Sequence, residues 1–393
     1  MDCFITCNSS VSEVGALDIK ELINKDSEIF KGVCECKDVS PKDLADLSYR
    51  CQSAHRICIK LFNFEIKKEF NEDSFKKAVL NSINELNFDL FDKAKTFGVL
   101  SENHSNNDFL DSTSISRIVG GAIHDSLQAK KLNISVNLSK PDIPVFVYCN
   151  EDRCFVGIDL IGFDLMKRPY KLISQSSSLN GVFAYTIAKL AGVNKNSVVL
   201  DPFCGSGTIP IEIALYQQNH SCFHFEHKFS GLNNSLTREA FNSEENRLKK
   251  NKISKDKQIN SFDTILKVIT SAKKNSKIAG VLDAISLSKV DIEWIDAKFK
   301  EAELDLIITN PPKENVNNEK KNDVKKIYDE LFYQSRFVLK DEGTLGILTN
   351  RTKTLLALAE RHGFSLKKNI ELYSGGQAYI LLLFTPPSRK NED

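Results

Sequence analysis

Apolar residues recur along this chain in two patterns, short unbroken runs and helical spacings, and the two alternate most regularly in the C-terminal half. Val198-Val-Leu200 is an apolar run of strand length that ends at Asp201, passes a Gly205-Ser-Gly207 turn and enters a helical run, Ile209 to Tyr216. Glycine has no Cβ, so backbone there turns sharply and approaches a ligand closely. Ile259-Asn-Ser-Phe-Asp263 reads as the second strand, and Thr264 to Lys277 as a helix with Ile265, Val268, Ile269 and Ala272 inward. Ala279-Gly-Val-Leu-Asp283 turns into a third strand, Ile285 to Val290, closed by Asp291. Leu304-Asp-Leu-Ile-Ile-Thr309 is nearly continuous in apolar character, as a strand buried on both faces must be, and it stops at Asn310-Pro311-Pro312. A helix (Asn322 to Val338), a strand (Gly343 to Thr349), a helix (Lys353 to His362) and a hairpin turning at Gly375-Gly376 complete the series. This alternation predicts an α/β domain with a mostly parallel sheet and helices on both faces.

The N-terminal half is patterned differently. Apolar runs at Cys3 to Thr6 and Ile57 to Phe62 flank a helical run from Pro41 to Ser53, with Ser40 and Asp43 as start signals. Asp73 to Asn87 has Phe75, Val79, Leu80, Ile83 and Leu86 on one side; Ser114 to Leu127 has Ile115, Ile118, Val119 and Ile123 inward. A short strand, Phe97 to Leu100, lies between them, and three more strands come after: Ile134 to Leu138, Pro144 to Cys149 and Cys154 to Leu160. The expected boundaries are an α+β, ferredoxin-like module at 1–60, a second α+β unit at 61–160, a serine-rich linker at 161–183 and the α/β domain at 184–393.

Charge changes this picture little: 53 basic residues against 52 acidic ones leave +1, so any nucleic-acid footprint must be local. The tract Arg247-Leu-Lys-Lys-Asn-Lys252, continuing through Lys255 and Lys257, reads as a solvated helix face rather than a phosphate contact. No apolar run reaches the ~20 residues of a membrane span and Met1-Asp2-Cys3 opens no signal peptide, which points to the cytoplasm. Ten cysteines with no Cys-x-x-Cys spacing read as reduced, mostly buried thiols. His220-Ser-Cys222-Phe-His224-Phe-Glu-His227 reads as a loop or strand with an aromatic inner face, and no metal is expected.

The candidate chemistry lies at the strand ends. In a doubly wound sheet, ligands bind beyond the carboxyl ends of the strands. Asp201, Asp263, Asp291 and Asn310 end four successive strands; one acid there is commonly a helix cap, but four in series are harder to assign to capping.

The wording Asp201-Pro-Phe-Cys-Gly-Ser-Gly-Thr208 resembles the first motif of S-adenosylmethionine (SAM) dependent methyltransferases that act on amino groups of nucleic-acid bases. It has neither the third glycine of a dinucleotide fingerprint nor the Gly-Lys-Ser/Thr of a P-loop. Asn310-Pro311-Pro312 is similar to the second motif of those enzymes. The resemblance implies a Rossmann-like class I domain of seven strands, the last one antiparallel. It implies cofactor contacts from Asp201, Phe203, Cys204, Gly205, Ser206, Gly207 and Thr208 at the amino-acid end, from Asp263 at the ribose and from Asp291 at the adenine. Asn310, also expected among the cofactor contacts, and a proline carbonyl of Pro311-Pro312 would accept the protons of an exocyclic amine whose lone pair is otherwise delocalised into its ring. Upstream, Val119-Gly-Gly-Ala-Ile123, Val136-Asn-Leu-Ser-Lys-Pro-Asp142, Val156-Gly-Ile-Asp-Leu160 and Lys167-Arg-Pro-Tyr-Lys171 resemble a THUMP domain, an RNA-binding module.

Together these phrases resemble THUMP-containing tRNA guanine-N2 methyltransferases. The resemblance implies SAM as cofactor, S-adenosylhomocysteine as product and tRNA as partner; no membrane is expected, and the oligomeric state is left open with a monomer favoured. Related expectations are an rRNA guanine-N2 or DNA adenine-N6 enzyme; one of another class is a non-catalytic RNA-binding protein that retains the SAM fold. Three departures stand out. Ser101 to Asn107 lacks the usual arginine and glycine; Gln175-Ser-Ser-Ser-Leu179 replaces a His-Pro-Ala type phrase, so no roles are carried onto it; and Lys313 stands where an aromatic residue normally stacks on the base. Either another aromatic serves, or the enzyme is slow, or catalysis is lost.

Overall fold

Local signals set the N-terminal elements. Ser40 accepts the Asp43 amide while the Asp43 carboxylate accepts the Ser40 amide, and Pro41 takes the first helical position, so a helix starts at Pro41 where the sequence predicts. The computed structural model describes residues 1–67, 71–105, 111–175, 178–223, 228–256, 258–313 and 321–389. In chain order the first elements are β1 (Cys3–Thr6), α1 (Glu13–Ile23), β2 (Glu28–Phe30), β3 (Val33–Cys36), α2 (Pro41–Arg50) and β4 (Arg56–Glu65). They continue with α3 (Glu72–Ser82), β5 (Thr96–Asn103), α4 (Ser112–Ala129), β6 (Ser135–Val136), β7 (Ile143–Cys149) and β8 (Arg153–Asp159). These eight strands make one sheet in the order β2-β3-β1-β4-β8-β7-β5-β6, joined through the antiparallel β4–β8 pair. The two N-terminal modules read from the sequence thus share a continuous sheet.

The second series comprises α5 (Gly181–Leu190), β9 (Val199–Asp201), α6 (Thr208–Gln217), α7 (Arg238–Lys249), β10 (Ile259–Asp263) and α8 (Leu266–Ile278). It ends with β11 (Ile285–Lys289), β12 (Leu304–Thr309), α9 (Lys321–Val338), β13 (Leu339–Thr349), α10 (Lys353–Arg361), β14 (Ser365–Ser374) and β15 (Gln377–Thr385). Seven strands pair in the order β11-β10-β9-β12-β13-β15-β14; the first five are parallel and β15 runs antiparallel to both neighbours. The order reverses between β9 and β12, which opens a crevice at their carboxyl ends. Leu200, Ile307, Leu345, Ile347 and Leu382 of this sheet are buried against Leu331 and Phe332 of α9 and Leu355 of α10.

The chain divides into two compact units, Met1–Leu165 with Phe225–Lys250, and Met166–His224 with Asn251–Asp393. Helix α7 therefore belongs with the first unit, inside residues that the sequence boundaries assign to the C-terminal domain. The reason is aromatic: Tyr49 of α2 lies 4.6 Å from Phe229 and 5.8 Å from Phe241, and all three rings are buried. No helix among the described residues is long and apolar enough to cross a membrane.

Several sequence expectations are corrected. Ile265 is not inward: it precedes α8 in an extended conformation and is 57% exposed. Leu80 is also largely exposed, because it lies about 100° around the helix from the buried Val79. The strand expected at Ile134 to Leu138 shrinks to Ser135–Val136, since Asn137 Oδ1 accepts the Ser139 and Lys140 amides at 3.1 and 3.2 Å and turns the chain. Cys149 and Cys154 are not free thiols; they face each other across the β7–β8 ladder and form a disulfide, while the other eight cysteines are free and buried.

Candidate active site

Asp201 ends β9 and Thr309 ends β12, the two strands that flank the reversal point, and the Thr309 hydroxyl donates to Asp201 Oδ1 at 2.7 Å. The Phe203 amide donates to the same oxygen at 3.2 Å, whereas buried Oδ2 has no partner among the described residues. Burial pushes the Asp201 carboxyl up to about 7. The hydrogen bonds from Thr309 and Phe203 oppose that rise, and the charge of Asp263 adds to it.

The loop after Asp201 is pinned by the Cys204 amide, which donates to Phe262 O of β10 at 2.9 Å. Gly205 and Gly207 both have positive φ, 53° and 87°. A Cβ on Gly207 would lie 3.1 Å from Ala272 Cβ, so that glycine lets the loop press onto α8; among the described residues a Cβ on Gly205 would meet only Gln175 Oε1, at 3.6 Å. Gly207 precedes α6 with no side-chain cap, so the helix begins with amides directed toward the loop. Asp201, Phe203, Cys204, Gly205, Ser206 and Thr208 line one recess together with Asn310. Gly207 is absent from that lining and acts through packing.

The recess opens beside a cleft of about 1020 Å³ whose wall includes Asp263, Asp291, Asn310, Pro311, Pro312 and Lys313. Asp263 Oδ1 accepts the Ile265 amide at 2.9 Å, and Asp291 stands at the end of β11. Tyr328 of α9 is buried and donates its hydroxyl to Pro312 O at 2.8 Å, which fixes the rigid Asn-Pro-Pro turn from below. Two acid-tipped strands, a glycine loop and an amide-bearing strand end thus face one space. Such an arrangement has the chemistry to hold a cation-bearing nucleoside and to offer acceptors to an amine.

Several contributors to the site were not expected from the sequence. Ser178 Oγ lies 2.8 Å from Ser206 Oγ and 3.3 Å from Thr208 Oγ1, so the linker touches the glycine loop directly. Asn275, a buried amide within α8, donates to Ser206 O at 3.0 Å and to Ile173 O at 2.8 Å, tying loop and linker to one helix. A lone asparagine in the apolar stripe of a helix was the available signal. Arg168 and Tyr170 are buried against Glu212 of α6: Arg168 Nε and Nη2 donate at 2.9 and 3.2 Å, and the Tyr170 hydroxyl at 2.7 Å. These are residues of the Lys167-Arg-Pro-Tyr-Lys171 phrase, which lies in the second unit rather than the first.

Among the described residues no group of three or more histidine, cysteine or acidic side chains is arranged to hold a metal. His224, Glu226 and His227 of the sequence cluster lie outside the described residues, as do Asn106, Asn107, Ser176, Ser177, Lys257 and Glu314.

Residues 168–380 match the UPF0020 family model, described as RMKL-like, methyltransferase domain, and residues 69–159 match the THUMP domain model. The tRNA (guanine(6)-N2)-methyltransferase of Methanocaldococcus jannaschii is 28% identical over 386 residues, 96% of this chain and 97% of that protein. The enzyme of the same name from Archaeoglobus fulgidus is 28% identical over 296 residues, 75% of this chain and 71% of that one. The crystal structure of TrmN from Thermus thermophilus superimposes with a TM-score of 0.69 at 19% identity, over 98% of this chain and 99% of that one, a likeness of fold.

Proposed function

Because the chain belongs to the UPF0020 family of RMKL-like methyltransferase domains and carries a THUMP domain, we propose that it methylates the exocyclic N2 amine of a guanosine in tRNA. Two relatives that are each 28% identical to the chain are named for that reaction. SAM supplies an electrophilic methyl group on a sulfonium centre. The residues suit such a group: among the described residues the second Asp201 oxygen is buried without a partner and Asp201 lies in the recess lining, ready for an ammonium, and little stands against the Gly205 side of the loop.

The observation that carries the reading is Asn310, which lines both the glycine-loop recess and the larger cleft. An arylamine is a poor nucleophile. Asn310 Oδ1 and the Pro311 carbonyl orient it by accepting its protons and raise electron density on nitrogen as the new bond forms. Asp263, Asp291 and the Gly205 to Thr208 backbone hold the cofactor; the THUMP-bearing unit holds tRNA. The reading includes action in the cytoplasm, where tRNA is found, by a single copy of the chain.

The test is methyl transfer from labelled SAM to tRNA, rRNA and duplex DNA, with nucleoside mapping of the product. N2-methylguanosine in tRNA is expected. Label appearing in duplex DNA or rRNA but not in tRNA would overturn the substrate assignment.

A further inference from the structure

At position 313, beside the amine-accepting turn, the chain has a lysine, yet an aromatic ring stands next to it from another part of the sheet. The exposed Lys313 side chain lines the cleft and holds its Nζ 4.9 Å from the centroid of the Tyr379 ring. Tyr379 projects from β15, half-buried, and its ring packs at 5.2 Å from that of Phe183 in α5. Its hydroxyl donates to Gln377 Oε1 at 2.8 Å, and nearby Asn180, the cap of α5, donates to Ser374 Oγ of β14 at 3.0 Å. The ring is therefore oriented by α5 and the hairpin, while what covers its face is a long, flexible, exposed side chain.

A base in a structured RNA reaches an active site only after leaving its stack, and sites that receive one replace the lost stacking with an aromatic face. Lysine offers none. An exposed cation–π contact is weaker than base–aromatic stacking, so an incoming base displaces the ammonium rather than the reverse. We infer that the ring of Tyr379 is the stacking surface for the target base, covered in the free protein by the Lys313 side chain. This inference rests on the proposed RNA methyltransferase function and adds a base-positioning residue to it.

The experiment compares the full chain with Tyr379→Phe, Tyr379→Ile and Lys313→Ala, using a tRNA that the unaltered protein methylates. Isoleucine suits a strand, so the fold is expected to persist. Tyr379→Phe is expected to stay within about twofold of the unaltered kcat/KM for tRNA, because the ring face is retained. Tyr379→Ile is expected to lose roughly five- to hundredfold, with SAM affinity and melting temperature unchanged. Lys313→Ala uncovers the ring and is expected to lower the KM for tRNA about two- to fivefold; a raised KM would overturn the covering role. Full activity in Tyr379→Ile, equal losses in the Phe and Ile variants, or a parallel loss of SAM affinity or of folding would overturn the inference. If the unaltered chain methylates no RNA, the proposed function itself fails and takes the inference with it.

Discussion

Tyr328 donates its hydroxyl to the carbonyl of Pro312 at 2.8 Å, from the buried face of α9 to the turn that carries Asn310. Under the proposed function, this bond holds in place the turn whose Asn310 and Pro311 carbonyl would accept from the amine. Tyr328→Phe removes the tether while keeping the ring. One such bond contributes about 1 kcal/mol, so kcat is expected to fall about fivefold with SAM affinity unchanged. Steady-state kinetics with calorimetry check this; an unchanged kcat would show that the prolines suffice.

Asn310→Ala is expected to leave SAM affinity nearly intact and to depress methyl transfer about a hundredfold, by analogy with other preorganised polar groups. Single-turnover rates measure it. If Lys313 contacts a phosphate instead of covering Tyr379, Lys313→Tyr should flatten the salt dependence of tRNA binding by about one unit of slope. The expected result is an unchanged slope with a preserved or higher rate.

The Asp201 carboxyl titrates near 7 because it is buried, against an unfolded value near 4. The folded protein thus holds a proton that the unfolded chain releases between about pH 4 and pH 7. Stability present below that window is lost as pH rises through about 7. A cationic ammonium beside Asp201 favours the ionised form, so SAM should bind about tenfold more tightly at pH 8 than at pH 6, with proton release at the lower pH. Calorimetry in buffers of different ionisation enthalpy measures that proton. Asp201→Asn should abolish the pH dependence; an unaltered profile in that variant would assign it to another group.

Glu212 has no exposed side-chain surface and accepts from both Arg168 and Tyr170. Burial opposes the Arg168 charge, while Cys222 and Glu212 more than offset that and raise its pKa. Glu212→Ala leaves a buried cation without its carboxylate and is expected to cost about 3–5 kcal/mol in denaturant unfolding. A loss below about 1 kcal/mol would mean that water or a neighbour replaces the carboxylate.

A protein lacking residues 1–160 is expected to bind SAM and lose most of its tRNA affinity; equal tRNA binding by the shortened and full-length chains would refute that division. The truncation also removes Tyr49 from Phe229 and Phe241, so residues 225–250 should be replaced by a short polar linker in the same protein. Retaining them is expected to cause aggregation, measurable by light scattering.

Much of the C-terminal half was legible in the sequence because its inner strands are buried on both faces and mostly apolar. Asp201, Asp263 and Asn310 mark where three of them end. Glycines with positive φ and a proline pair likewise announce themselves locally, since few other residues adopt those backbones. What the sequence does not carry is which distant side chains meet there. Ser178 against Ser206, Asn275 against Ser206 O, Tyr328 against Pro312 O and Tyr379 under Lys313 join positions 16 to 69 residues apart. Each is an ordinary polar or aromatic residue whose partner is chosen by sheet order and helix packing, not by its neighbours in the chain. The placement of α7 has the same cause: an amphipathic helix specifies that it needs a partner for its apolar face, and only the tertiary structure decides that the partner is α2.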